Sequence, residues 1–149
     1  MPHVIIYTDG GASPNPGLGG WAAILYSPEH KKEREIFGAE PATTNNRMEL
    51  TAAIKALEAL KVPCDVDLHT DSSYLQNAFT KRWLINWKRK GWKTAAGSDV
   101  LNRDLWERLE KLTKTHKVSW HWVKGHALDV RNERCDALVQ RAKDEYRRR

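Results

Sequence analysis

A mixed α/β sheet with helices packed on it is predicted by three observations. Five short runs are rich in β-branched and aromatic residues, four segments repeat apolar residues at the helical period, and the two kinds follow one another as β-β-β-α-β-α-α-β-α. The first three strands, with no helix between them, read as an antiparallel meander.

The first strand covers residues 4–8, Val-Ile-Ile-Tyr-Thr, which is apolar on both faces and therefore central. Asp9-Gly10-Gly11 ends it, and Ser13-Pro14-Asn15-Pro16-Gly17 is dense turn chemistry. Residues 20–26 make the second strand and 33–38 the third. Thr43-Thr44-Asn45-Asn46 supplies capping side chains for a helix with apolar residues at 50, 53, 54, 57 and 60, which Val62-Pro63 stops. Residues 65–70 alternate, with Val66 and Leu68 on one face, and form the fourth strand. A short helix begins at Ser72 and runs to 79. After a basic, tryptophan-rich stretch at 81–93, Leu101, Leu105, Leu109 and Leu112 mark an amphipathic helix. Residues 117–123 are an aromatic strand, and Cys135, Leu138, Val139, Ala142 and Tyr146 mark the last helix.

At 149 residues the chain suits one domain with one core, and a 40% hydrophobic fraction can fill it. No apolar run approaches the ~20 residues a bilayer demands, so no membrane association is expected. The start, Met1-Pro2-His3-Val4, lacks the basic and apolar regions of a signal peptide. Cys64 and Cys135 have no metal-ligand spacing and read as free thiols of a cytoplasmic protein. A net charge of +6 favours a polyanionic partner without identifying one.

Four acids stand out. Asp9 and Asp71 each close a strand, a place where Asp is depleted and where α/β sheets form ligand crevices. Glu49 and Asp136 lie in the first turns of helices. Around Glu49, Ala52, Ala53 and Ala56 give the helix a face small enough for close approach to the sheet. A carboxylate set of this kind suits Mg²⁺, a hard cation that prefers oxygen. Acids in first helical turns also serve the helix dipole, so spacing alone leaves a metal site and ordinary structural acids both open.

The motifs around these acids resemble bacterial ribonuclease HI, of the type 1 ribonuclease H family. They are Thr8-Asp9-Gly10-Gly11, Asn15-Pro16-Gly17, Thr44-Asn45-Asn46-Arg47-Met48-Glu49-Leu50, Thr70-Asp71-Ser72, Val123-Lys124-Gly125-His126 and Asn132-Glu133-Arg134-Cys135-Asp136, in order along nearly the whole chain. The resemblance implies a ribonuclease H-like fold: a single domain over 1–149 around a five-stranded mixed sheet, three strands antiparallel and then two parallel, flanked by helices. It implies an endonuclease that hydrolyses the RNA strand of RNA–DNA hybrids, leaving 5′-phosphate and 3′-hydroxyl ends. Two Mg²⁺ ions, with Mn²⁺ as an alternative, would be held by Asp9, Glu49, Asp71 and Asp136, Asp9 bridging both. Water is the implied nucleophile, and His126 is implied to transfer a proton or assist product release. Gly10, Gly11, Asn15, Thr44, Asn45, Asn46 and Ser72 are implied to bind substrate, with Asn15, Asn46 and Glu49 sensing RNA 2′-hydroxyls and Thr44 near a DNA phosphate.

The stretch at 81–93 interleaves six Lys and Arg residues with Trp83, Trp87 and Trp92, without an acid. Such a segment suits phosphate contacts and stacking on sugars or bases, or else an amphipathic helix with tryptophans in the core. The resemblance makes it the start of a basic handle, about 81–98, in which Trp83, Lys88, Arg89, Trp92 and Lys93 hold the DNA strand, Trp83 against a deoxyribose. Three features depart from the family pattern. Leu128 stands where many members have glycine, which predicts a stiffer loop around His126 and altered product release; Asp129 follows it. Ser73 replaces a longer polar residue, and one extra residue separates Asp71 from Trp83. A silent hybrid-binding module lacks the four acids present here, and integrase-like or resolvase-like nucleases lack the motif at 44–50 together with a tryptophan-rich handle. A monomer with no obligate protein partner is expected.

Overall fold

A computed structural model of the chain describes residues 1–123 and 130–149. The strands are β1 (His3–Ala12), β2 (Gly17–Ser27), β3 (Lys32–Thr43), β4 (Asp65–Thr70) and β5 (Lys117–Trp122), and the helices are α1 (Asn45–Glu58), α2 (Ser73–Thr80), α3 (Trp83–Arg89), α4 (Arg103–Thr115) and α5 (Val130–Arg147). The five strands form one sheet in the order β3-β2-β1-β4-β5. β1 pairs antiparallel with β2, and β2 with β3, while β1–β4 and β4–β5 are parallel. The predicted mixed sheet is therefore present, with β1 in its middle.

β1 is central because it is apolar in both directions. Val4 and Ile6 join Leu50, Ile54, Leu57, Val66, Leu68, Trp106 and Leu109 in one core. Tyr7 joins Ala22, Ile24, Cys135, Leu138 and Val139 in a second core. Helix α1 packs on β1 and β2 on the first face, and α5 crosses β1, β2 and β3 on the other.

Two glycines set how near those helices come. A Cβ on Gly10 would sit 2.4 Å from the Met48 carbonyl oxygen and 2.8 Å from the Glu49 amide nitrogen. A Cβ on Gly20 would sit 2.8 Å from the Val139 carbonyl oxygen. On the α1 side the approach is helped by Ala52, Ala53 and Ala56, all fully buried, as their small size predicts.

Helix α1 starts where its capping chemistry dictates: the Thr44 hydroxyl accepts from the Arg47 amide at 3.2 Å. It ends at Glu58, four residues before Val62. Two elements differ from expectation. The handle contains a helix, α3, that the periodicity does not announce. Leu101, read as the first apolar position of a helix, lies before α4 and is 79% exposed. The helix begins only after Asn102, whose φ of 63° places it in the left-handed region and breaks the period.

His116, to which the sequence reading attached no role, ties three elements together. Its buried Nδ1 accepts from the Cys64 amide at 3.0 Å, and the ring also bonds to the Leu57 backbone. The end of α1, the start of β4 and the start of β5 thus meet at one neutral imidazole.

Two outcomes follow. Gly10→Ala should cost about 1–3 kcal/mol, because the neighbouring atoms are helix backbone; an unchanged urea midpoint would refute the close-approach argument. Burial lowers the His116 pKa below 6.5, so its contribution is present above that pH and is lost as pH falls. His116→Ala should cost roughly 1–3 kcal/mol at pH 7 and flatten the stability profile between pH 7 and 5, measured by urea unfolding. Parallel profiles for the two proteins would refute it.

Candidate active site

Strand pairing and helix packing bring the four acids to one end of the sheet. Asp9 lies within β1, opposite Ala22 of β2; the strand does not end at Asp9-Gly10-Gly11 as expected but runs on to Ala12, because β2 continues to pair with it as far as Gly19. Asp71 is the first residue past β4. Glu49 sits in the second turn of α1, the turn that the absent side chain of Gly10 admits to the strand. Asp136 lies in the second turn of α5. That helix is seated by Cys135, whose buried thiol donates to the Tyr7 carbonyl at 3.4 Å. Burial raises the Cys135 pKa to about 12, so this sulfur is a packing group and not a ligand or nucleophile.

The acids sense one another. Burial, and then the charges of Asp71, Asp136 and Glu49, push the Asp9 carboxyl up to about 7, against an opposing hydrogen bond from Gly10. Glu49 is raised by burial and by Asp71. Asp71 and Asp136 are exposed. Among the described residues, no group of three or more Asp, Glu, His or Cys side chains is arranged to hold a metal ion as it stands.

Ser72 sits behind Glu49. Its hydroxyl donates to Glu49 Oε2 and accepts from the Leu75 amide at 3.1 Å as the cap of α2. At 2% exposure it positions Glu49 and starts a helix in place of facing solvent. His126, Lys124, Gly125, Leu128 and Asp129 lie outside the described residues.

The polar motif residues form a second part of the site. Asn15 Oδ1 accepts from the Asn45 amide at 3.1 Å, and Asn45 Oδ1 accepts from the Ala12 amide at 2.6 Å. Both side chains fix the turn after β1 to the start of α1, with Gly11 beside Asn45. Asn15, Thr44, Asn45 and Asn46 line an open depression of about 440 Å³, whose remaining wall is Pro16, Leu101 and Asn102. Asn102 carries no signal in the sequence because the apolar period places it inside a helix beginning at Leu101, whereas α4 starts only at Arg103. It instead donates to the Tyr74 hydroxyl at 3.2 Å and accepts from Arg47 at 3.1 Å.

The handle is a tryptophan stack with a basic rim. Trp83 packs on Tyr74 and Trp87, Trp87 on Trp106, and Trp92 on Trp87, while the Arg103 guanidinium covers Trp92 at 5.2 Å. All three handle tryptophans are half-buried against the first core, so they serve partly as core. Trp83, Asn86, Trp87, Lys90 and Lys93 line a groove of about 270 Å³. Lys93 pairs with Asp99. Lys88 is drawn to Glu110 at 3.2 Å and does not line the groove, nor does Arg89. Asn86 and Lys90 replace them there; only their helical phase within α3 could have revealed this, and the composition does not announce that helix.

Comparison with known proteins places this geometry. The RNase H family model matches residues 1–144. The chain is 55% identical over 144 residues to a protein named Ribonuclease H from Gluconobacter oxydans (strain 621H), covering 97% of this chain and 94% of that one. It is 54% identical over 149 residues to Ribonuclease H of Agrobacterium fabrum, covering the whole of both chains. Among solved structures it resembles LC9-RNase H1, described as a type 1 RNase H with the type 2 active-site motif, with a TM-score of 0.84 and 31% identity over 97% of this chain and 74% of that one. It also resembles LC11-RNase H1 in a complex with an RNA/DNA hybrid, with a TM-score of 0.68 and 25% identity over 96% and 98% of the two chains. With acids, sheet and sequence in agreement, the chain belongs to the ribonuclease H family.

Proposed function

We propose that this chain is an endonuclease hydrolysing the RNA strand of RNA–DNA hybrids at the Asp9 cluster, leaving 5′-phosphate and 3′-hydroxyl ends. The observation that carries the reading is the Asp9 carboxyl, pushed up to about 7 by burial and by three acids from separate elements. An arrangement so unfavourable in a metal-free chain is one that a divalent cation would relieve.

The donor set fits such a cation, because Asp9, Glu49, Asp71 and Asp136 offer oxygen alone, the preference of Mg²⁺ and Mn²⁺. When bound, a pair of such ions supplies activation of a water and stabilisation of the leaving oxygen of a phosphodiester. Asp9 is central to this set, since the other three acids all act on it. Ser72 holds Glu49 in place through one carboxylate oxygen. The amides of Asn15 and Asn46, together with Glu49, suit an RNA 2′-hydroxyl, which both donates and accepts. Thr44 at the start of α1 is offered to a DNA phosphate, a place favoured by the helix N-terminus. In the handle, Trp83 offers a face for a deoxyribose, and Lys90 and Lys93 line the same groove. Lys88, Arg89 and Trp92 surround it and supply longer-range charge and packing. His126 is proposed as the proton carrier on the family resemblance alone. The buried free thiols of Cys64 and Cys135 suit a cytoplasmic setting.

Incubation of matched RNA–DNA, RNA–RNA and DNA–DNA duplexes with Mg²⁺ should give cutting of the hybrid alone, with Asp9→Asn slower by about a hundredfold or more. Hybrid cutting that survives Asp9→Asn would overturn the carboxylate assignment, and equal cutting of RNA–RNA would overturn the specificity. A second outcome needs no substrate. The folded chain holds the Asp9 proton up to about pH 7, against an ordinary value of 3.8, so the metal-free protein loses stability as pH rises through that interval. The loss approaches about 4 kcal/mol at its upper limit. Asp9→Asn should remove most of this slope in urea unfolding, leaving the part that the raised Glu49 carboxyl contributes, and Mg²⁺ at pH 8 should stabilise the parent chain more than the variant. The same slope and the same Mg²⁺ response in both would refute the cluster's electrostatics.

A further inference from the structure

Leu101 breaks the pattern of the cleft around it. It is 79% exposed, yet it lines the depression shared with Asn15, Pro16, Thr44, Asn45, Asn46 and Asn102. The turn that presents it is fixed. Asn102, the next residue, sits at a φ of 63° and is held by Arg47 at 3.1 Å and by the Tyr74 hydroxyl at 3.2 Å. Arg47 is in turn clamped to Asp104 at 2.9 Å, so the turn is bound to the same helix start that carries Thr44 and Asn45. The depression is thus lined by amides and a hydroxyl, with two apolar groups among them, the Pro16 ring and the rigidly presented Leu101 side chain.

We infer that Leu101 is a specificity-determining contact that selects the strand lacking 2′-hydroxyls. The inference rests on the hybrid-cleaving function proposed above and names a residue that discriminates at that site. The two strands of a hybrid differ at C2′: one offers a hydroxyl and the other a methylene. Amides satisfy a hydroxyl in both its roles. A leucine cannot, and a hydroxyl pressed against it loses water without gaining a partner. A deoxyribose pressed against it loses only apolar exposure, which is favourable. Asn15 and Asn46 on one part of the lining and Leu101 on another therefore read opposite properties of the two strands, presence on one and absence on the other.

The test uses hybrids whose DNA strand carries a single ribonucleotide, moved one position at a time past the site opposite cleavage. For the parent chain, kcat/KM should fall roughly tenfold at the one or two positions where the added hydroxyl meets Leu101. Leu101→Asn should remove most of that penalty at those positions and leave the others unchanged. Leu101→Ala should raise KM for the unmodified hybrid roughly fivefold with kcat little altered. Because the side chain is exposed, both variants should unfold at the parent's urea midpoint, which separates this role from a structural one. Cutting by the parent with no position-dependent penalty, or a penalty identical in Leu101→Asn, would overturn the role of Leu101 while leaving the nuclease function standing. A parent chain that cuts no hybrid would overturn the proposed function, and this inference with it.

Discussion

Four carboxylates held near one another at the end of a central strand repel, and much of the surrounding architecture serves to keep them there. Asp9 is fixed by the sheet, being paired across β2 and lying beyond the parallel pairing to β4. Glu49 is brought in by a helix that can come close only because residue 10 has no side chain. Asp136 arrives on α5, which is pressed onto β2 at another glycine and seated by the Cys135 thiol. The second core, small as it is, spans Tyr7 to Val139 and so joins the two ends of the chain under the cluster. Hydrophobic burial on both faces of the sheet thus offsets a local electrostatic cost that no carboxylate in the cluster relieves.

The same helix start that carries Glu49 also organises the surface beyond it. Arg47 reaches Asp104 and Asn102, Asn102 reaches Tyr74, and the Tyr74 hydroxyl also accepts from the Trp106 indole at 3.0 Å. Trp106 is fully buried and bears the handle through its edge contact with Trp87. A continuous set of contacts therefore runs from the carboxylate-bearing helix to the basic rim. The handle is anchored to the core from which α1 also rises, so the spacing between handle and acids is set by packed side chains.

Much of the fold was legible in the chain because its signals were local. β1 reads as central from Val4 to Tyr7 being apolar in succession, and α1 reads as a helix from Thr44 and its apolar period. The acids of the sheet were legible too, since Asp9 and Asp71 sit where strands disfavour Asp, although only Asp71 follows a strand's end. What could not be read depended on contacts between distant segments. Helix α3 owes its apolar face to Trp106 and Tyr74, which belong to other elements, so its own seven residues carry too little pattern. Ser72 is named by a motif that also adjoins the acids, yet its direction is fixed by Glu49, 23 residues earlier. Lys88 looks like its basic neighbours until Glu110 draws it aside. Leu101 matches a helical spacing that Asn102 then interrupts with a left-handed backbone.

The order of the acids along the chain has a consequence for folding. Asp9 is on the first strand and Asp136 on the last helix, so the cluster joins segments far apart in the chain. A chain that stops before residue 130 carries three of the acids and all five strands, but it leaves Tyr7, Ala22 and Ile24 uncovered and the fourth acid missing. Long-range closure of this kind is slow relative to local helix formation. The completed cluster therefore requires α5 to be docked across β1, β2 and β3. Damage to that helix would remove the site and expose an apolar face at the same time.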